Sequence, residues 1–397
     1  MSFGSIPRDT RNIVLGAGPL AVGLGFYQVA IAVFLPLEGI SVTRLGILLT
    51  TFGLTSVSLS IPFAILSDRH GRKTIMLVGS VLAAIIILVP GISSNFAVLE
   101  MSAVLGGTAD AMFLATRNAY LADTTAVEVR AETFSLSFMT FTFASGIGTF
   151  LPAFFPFFGI DLLTAHRVAF VALGLFALVT AYIVNKWAAN RKPASSHKGI
   201  LPRKSLPVIM KFSAANLLIG LGAGLIIPLV PTWFYLRFNV TDVFSGPLIA
   251  ASNIIMGLTA VGAPRIAKRV GLVNGIVMTQ AMSTVFLLAI PLCPTAAVAG
   301  TLYVIRAVLM NMASPLADTF LMNKIAEDER AIASSFNAVL WNLPNAGSTV
   351  VGGSMLNGGN LSLPFYLCGT LYITSIVLFY GLFRERTKSN KGSIAAA

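Results

Sequence analysis

"ILSDRHGRKTIML", residues 65–77, crowds four basic side chains (Arg69, His70, Arg72, Lys73) and one carboxylate (Asp68) between apolar stretches. No ionisable residue occurs from Leu45 to Ser67 or from Thr74 to Leu99. Each run is long enough for a helix of roughly 20 residues to cross a hydrocarbon core. The charged stretch therefore marks a tight connection, at a membrane surface, between two spanning helices.

The same alternation runs through the whole chain. Hydrophobic residues make up 56% and charged residues 11% of the 397, and mean hydropathy is +0.84, whereas soluble domains carry roughly 25% charged residues. Breaking the longer runs at "PGISSN", "PLCPT" and "LNGGNLSLP" predicts twelve spanning helices, at 12–37, 43–67, 73–91, 95–121, 130–156, 163–186, 208–237, 243–264, 270–291, 295–323, 331–356 and 362–384. The first run is longer than the apolar core of a signal peptide and is read as the first span. Period-2 alternation is missing, which excludes a β-barrel. Cys293 and Cys368 lie far apart at or within spans and read as two apolar-facing thiols, with neither a disulfide nor a metal expected.

Lys and Arg set the orientation. Of 27 basic residues, 23 fall at or beside the chain ends and the connections after the second, fourth, sixth, eighth and tenth spans; Arg44, Arg167, Arg237 and Arg306 are the others. The positive-inside rule places both termini in the cytoplasm of a multi-pass cell-membrane protein. Anionic lipid headgroups account for the net charge of +12, with no nucleic acid as partner.

The chain also repeats itself. "ILSDRHG" at 65 lies over "RIAKRVG" at 265, and "VRAETFS" at 129 over "ERAIASS" at 329, pairing Arg69 with Arg269, Gly71 with Gly271 and Arg130 with Arg330. A parallel duplication follows, with a six-helix bundle at 1–187, a basic linker at 188–206 and a second bundle at 207–397. Such architectures carry solutes, with the site between halves near the midplane.

The motif "AILSDRHGRK" resembles the loop signature of the major facilitator superfamily: Leu66, Asp68, Arg69, Gly71, Arg72 and Lys73 match, while Ala64 and Ser67 replace a glycine and an alanine. The glycine-rich "LLIGLGAGLIIPLVP" of the seventh span is similar to that family's seventh helix. The resemblance implies an all-α fold of two six-helix bundles and a gate at the signature loop, and it leaves the cargo open. It also implies that Asp68 meets the N-terminus of the eleventh helix when the cytoplasmic side closes. From the residues alone, Asp68 opposes the C-terminal dipole of its own helix and needs a cation, with Arg69, Arg72 and Arg117 as candidates. Asp318 with Lys324 and Arg330 would form the matching gate of the second half. "FASGIGTFLPAFF" in the fifth span has Gly146, Gly148 and Pro152 but lacks the glycine-proline pair of the family's drug exporters.

Ionisable groups inside spans are costly and mark sites. Asp110 in "LGGTADAMF" is offered as a proton-coupling carboxyl that releases its proton when the cavity opens to water; a carboxyl hydrogen-bonded to a neighbouring helix is the competing reading. Glu100, nearer the outer end, is expected to be solvated. Arg306 must face the cavity or a carboxylate, binding an anionic substrate, pairing with Asp110, or fixing its own helix. Asn311 lies in the same helix. Gln28, Trp233 and the face Asn337–Trp341–Asn345, spaced by four, complete a cavity suited to a neutral or weakly charged organic substrate, or else knit helices together.

No phosphate-binding glycine loop, nucleophile–base pair or metal cluster is present in the sequence. Neither enzyme chemistry nor a cofactor is therefore expected. The leading expectation is a monomeric secondary transporter with small-molecule substrate, protons and membrane lipids as partners, exporting an amphiphilic compound. Uptake of an organic anion or metabolite, a passive uniporter, and a non-transporting receptor or sensor are the alternatives.

Overall fold

The computed structural model describes residues 6–189, 205–259, 270–325 and 329–384. Twelve helical spans run through them: α1 (Arg8–Leu37), α2 (Val42–His70), α3 (Arg72–Ile92), α4 (Phe96–Thr124), α5 (Val127–Phe150), α6 (Leu162–Trp187), α7 (Leu206–Phe238), α8 (Asp242–Thr259), α9 (Leu272–Ala289), α10 (Ala296–Lys324), α11 (Arg330–Asn357) and α12 (Leu363–Phe383). Ten are long and apolar enough to cross a membrane; α8 and α11 complete the set. No strand occurs among the described residues.

Local chemistry sets the ends. Ser41, Asn95, Asp161 and Thr295 cap α2, α4, α6 and α10, each side chain accepting from a backbone N–H of the first turn. Hydrogen bonding from Thr164 lowers the pKa of the exposed Asp161 carboxyl from its ordinary value. The fifth helix, expected to reach residue 156, ends at Phe150 and continues as 3₁₀ turns over Leu151–Phe158, because Pro152 and Pro156 remove the donors an α-helix needs. Three 3₁₀ residues, Ile227–Leu229, interrupt α7 at Pro228 in the same way, with Pro231 in the first turn of the helix that resumes.

Packing follows a pattern that recurs six helices on. In the first group α1 packs on α5, α2 on α4, and α3 on α6; in the second α7 packs on α11, α8 on α10, and α9 on α12. The two groups meet along α2 with α11 and α5 with α8, pairs that the same shift exchanges. Gly71 and Gly271, matched in the sequence repeat, both hold a positive φ, 95° and 83°, before α3 and α9. With ψ at 141° for Gly71, that is backbone a side chain cannot adopt without strain. Gly71→Ala is expected to cost about 1–3 kcal/mol, read as a lower midpoint in thermal denaturation of detergent-solubilised protein. Most of the linker, and residues 265–269 of "RIAKRVG", lie outside the described residues.

Candidate functional site

Every described hydrogen bond between the two groups of helices lies on the side away from the chain termini. There the Thr50 hydroxyl donates to the Ala346 carbonyl at 2.8 Å and accepts from the Val350 N–H at 3.0 Å. Thr232 donates to the Ala32 carbonyl, and His166 on α6 meets Asp242 on α8. Small residues let the backbones approach: a Cβ on Gly46 would lie 3.0 Å from the Thr349 oxygen, and one on Gly246 2.4 Å from the Thr149 oxygen. The groups are thus fastened at this far side.

Asp110 sits on α4, half-buried, and accepts from the Ser56 hydroxyl of α2 at 2.6 Å. Glycine makes that reach possible, since a Cβ on Gly107 would stand 2.3 Å from the Phe52 carbonyl. The same seam corrects the reading of Glu100. It is held by the Thr51 hydroxyl, and its Oε2 is buried with no hydrogen-bond partner. The packing of α4 on α2 takes this carboxyl out of water although it lies only one turn from the helix start.

At the charged connection Arg72 is buried and bonded to two carboxylates, Asp68 at 2.7 Å and Asp123 at 2.7 Å, and to Ser67 at 3.0 Å. Both carboxylates sit at helix C-termini and Arg72 at a helix N-terminus, three placements that the helix dipoles disfavour. Arg72 offsets both carboxylates, and the cluster keeps one net negative charge. Asp68 is thus bonded within the first group here, with Arg72 as its cation. Arg69 is exposed. Arg117 does not reach Asp68; it is buried, donates to Ser137 at 2.7 Å and stacks on Phe113 and Phe141. Arg130 caps α4 by donating to the Ala122 carbonyl at 2.9 Å. Asp318 is exposed and has no ion-pair partner among the described residues. The Arg330 side chain lies outside them.

The α11 face turns out to be a packing face. Asn337 accepts from Asn216 at 2.9 Å, Asn345 donates to the Gly220 carbonyl at 3.2 Å, and a Cβ on Gly220 would lie 2.4 Å from the Trp341 oxygen. Both partners, Asn216 and Gly220, belong to α7. Trp233 is fully buried at the far side, donating to the Leu361 carbonyl at 2.9 Å among Phe234, Phe238 and Phe365. Asn311 donates to the Ala307 carbonyl one turn back. Gln28 is the single exposed residue of the stretch 18–37.

Arg306 faces neither Asp110 nor any other described carboxylate. It is buried in the second group, donates to the Tyr372 hydroxyl at 2.8 Å, and its Nε has no hydrogen-bond partner among the described residues. Beside Tyr372 the space lined by Ile219, Gln280, Met310 and Ile376 is too small to admit a water molecule. Organic ligands occupy roughly 300 Å³ or more, so a substrate has no room there. Cys293 and Cys368 are buried free thiols. Sequence reasoning missed Ser56, Asp123, Asn216 and the His166–Asp242 pair, because no pattern local to these residues encodes the partners they take.

Comparisons with known proteins agree with this geometry. Residues 13–349 match the Major Facilitator Superfamily. The quinolone resistance protein NorA of Staphylococcus aureus is 26% identical over 171 residues, 41% of this chain and only 41% of that relative's own length. Multidrug resistance protein 1 of Bacillus subtilis is 24% identical over 354 residues, covering 85% of this chain and 87% of the relative. Among solved structures, the nucleoside transporter NupG superposes with a TM-score of 0.78 at 12% identity over 95% of this chain and 100% of that one. A bacterial homolog to the human lysosomal transporter Spinster, inward-facing and unoccupied, superposes with 0.68 at 17% identity over 95% and 97%. With a family match over most of its length and the family's helical architecture, this chain belongs to the Major Facilitator Superfamily and is an integral, multi-pass membrane protein.

Proposed function

We propose that this chain is a secondary transporter that moves a small organic solute by alternating access, driven by a proton gradient, and that it exports an amphiphilic compound. The carrying observation is the fastening of the two groups of helices at the far side. Bundles at 1–187 and 207–397, joined by the linker 188–206, would rock about that seam and leave the terminal side open. The bias of Lys and Arg supports a cytoplasmic terminal side in the cell membrane, and Asp110 is the carboxyl assigned to the coupling proton. In the opposite state Asp68, freed from Arg72, would meet the start of α11. Arg69, Gly71, Arg117, Asp318 and Arg330 complete the proposed gates.

Export is supported by two relatives, a quinolone resistance protein and a multidrug resistance protein. Uptake of an organic anion is the second reading. It is favoured by Arg117, a buried cation with no carboxylate bonded to it among the described residues, and by the organic anion transporter among the structural neighbours. Gln28 and Asn311 remain the polar groups proposed to touch substrate; Asn337, Trp341 and Asn345 would position α11 against α7.

A flux assay separates the readings. Purified protein in liposomes, given a fluorescent amphiphilic cation or an organic anion, is expected to move the cation against its gradient when a pH gradient is imposed, and to stop when the gradient is collapsed. Flux indifferent to the collapse identifies a uniporter. Binding without flux identifies a receptor.

A further inference from the structure

Outside the proposed proton site, one buried titratable pair bridges the two groups. The His166 and Asp242 side chains are both fully buried. The imidazole Nδ1 lies 2.7 Å from the Leu162 carbonyl, and Nε2 lies 2.7 Å from Asp242 Oδ2. Phe34, Phe155 and Phe26 surround the ring at 5.6, 5.0 and 6.4 Å between centroids.

Hydrogen-bond accounting fixes how many protons the pair holds. A carbonyl only accepts, so Nδ1 must carry a hydrogen. A contact of 2.7 Å between Nε2 and a carboxyl oxygen needs a second hydrogen between them, on either atom. The assembled pair therefore holds two protons and no net charge. Neutrality also suits Asp242 Oδ1, which is buried with no hydrogen-bond partner and where an uncompensated charge would be costly. Separated in water above about pH 7, an imidazole and a carboxylate hold one proton between them. Assembling the pair takes up one proton.

We propose that His166 and Asp242 form a proton-binding site shared by the two groups of helices, filled when the far side closes and emptied when it opens. It rests on the rocking motion proposed above, but not on Asp110 or on any substrate. A proton bound there returns to the side it came from, so the site sets the balance between states by the pH of that side. Other titratable groups lie on the surrounding elements: Tyr303 of α10, which packs on α8, is buried near Arg306. On α1, Glu38 is paired with Arg167 of α6 at 2.9 Å, and Tyr27 is buried near Phe170. Asp161 is exposed and caps α6, while Arg237 on α7 is exposed and lies over Phe238, with Tyr235 two residues before it. None of these bonds to the His166 ring.

The test is a distance measurement on the full chain in nanodiscs, with spin labels on cysteines introduced at Phe157 and Leu292. These far-side positions are 82% and 72% exposed, and both native thiols are buried. Two distances are expected, and the ratio of closed to open should rise on acidification from pH 9 to pH 6, approaching tenfold per pH unit at its steepest. Asp242→Asn keeps the shape and can donate its amide hydrogen to Nε2, making both bonds with no extra proton. It should close at every pH with a flat ratio, and His166→Gln, which can donate to the carboxylate, should also be flat. Two populations whose ratio ignores pH in the wild type, or a wild-type slope kept in both variants, would overturn the site alone. A single distance at every pH would overturn the rocking motion and the site with it.

Discussion

Asp110→Asn is expected to lower flux driven by a pH gradient at least tenfold while leaving the protein folded. The substitution keeps the size of the side chain, and its amide oxygen still accepts the Ser56 hydroxyl that stands 2.6 Å from the carboxyl. The seam around it, closed by Gly107 against the Phe52 carbonyl, is untouched. What is lost is the exchangeable proton. A carboxyl part-way along an apolar helix can shed its charge only by binding a proton; an amide has none to give back when the cavity opens. Exchange of labelled for unlabelled substrate without a gradient needs no net proton movement and should persist within a factor of about three, because a loss of tenfold would correspond to about 1.4 kcal/mol of lost substrate contact. Both rates are measured in the same liposomes. Equal loss of the two would make Asp110 part of the substrate site, and no loss of either would remove it from the mechanism.

How far the sequence reaches differs between fold and site, for physical reasons. Helix positions were legible because crossing a bilayer demands a run of apolar residues: the expected 163–186 and 208–237 stand beside Leu162–Trp187 and Leu206–Phe238. Errors fall where charge ends the apolar run without ending the helix. Asp68, Arg69 and His70 continue α2, and Gly71 alone separates it from α3. Within the site, spacing puts Asn337, Trp341 and Asn345 on one face, but periodicity says nothing about which neighbour a face meets, and the two asparagines meet α7. Arg306 was judged by its charge and expected to seek an acid or the cavity. A tyrosine hydroxyl and ring take it instead. His166 and Asp242 lie 76 residues apart, a contact that exists only because two groups of helices dock, and no local pattern encodes it.

The largest effect on stability should come from Gly148→Ala, set against Gly146→Ala two residues away. Both glycines are buried in α5. A Cβ on Gly148 would lie 2.0 Å from the Val22 carbonyl oxygen, and the contact is reciprocal, since one on Gly25 would lie 2.1 Å from the Ser145 oxygen. Membrane helices associate through such small-residue seams because apolar side chains gain nothing over lipid, and close backbone approach supplies the attraction. Overpacking costs about 1–3 kcal/mol where side chains yield. A helix carbonyl has no rotamer to yield with, so α1 and α5 must separate along their length. The expected result is a fall in melting temperature on the order of 10 °C, or loss of a monodisperse peak in fluorescence-detected size-exclusion chromatography. At Gly146 nothing stands within 4 Å of the added carbon, and alanine favours helix over glycine by about 0.5–1 kcal/mol; that variant should melt at or above the wild type. The second group supplies a matched control, because Gly224 and Gly352 hold α7 to α11 with Cβ positions 1.9 Å and 1.8 Å from the Asn345 and Leu225 oxygens. Gly352→Ala should therefore reproduce the Gly148→Ala loss. Equal melting of the Gly148 and Gly146 variants would mean that the α1–α5 seam tolerates separation, and that close backbone contact is not what holds each group of six helices together.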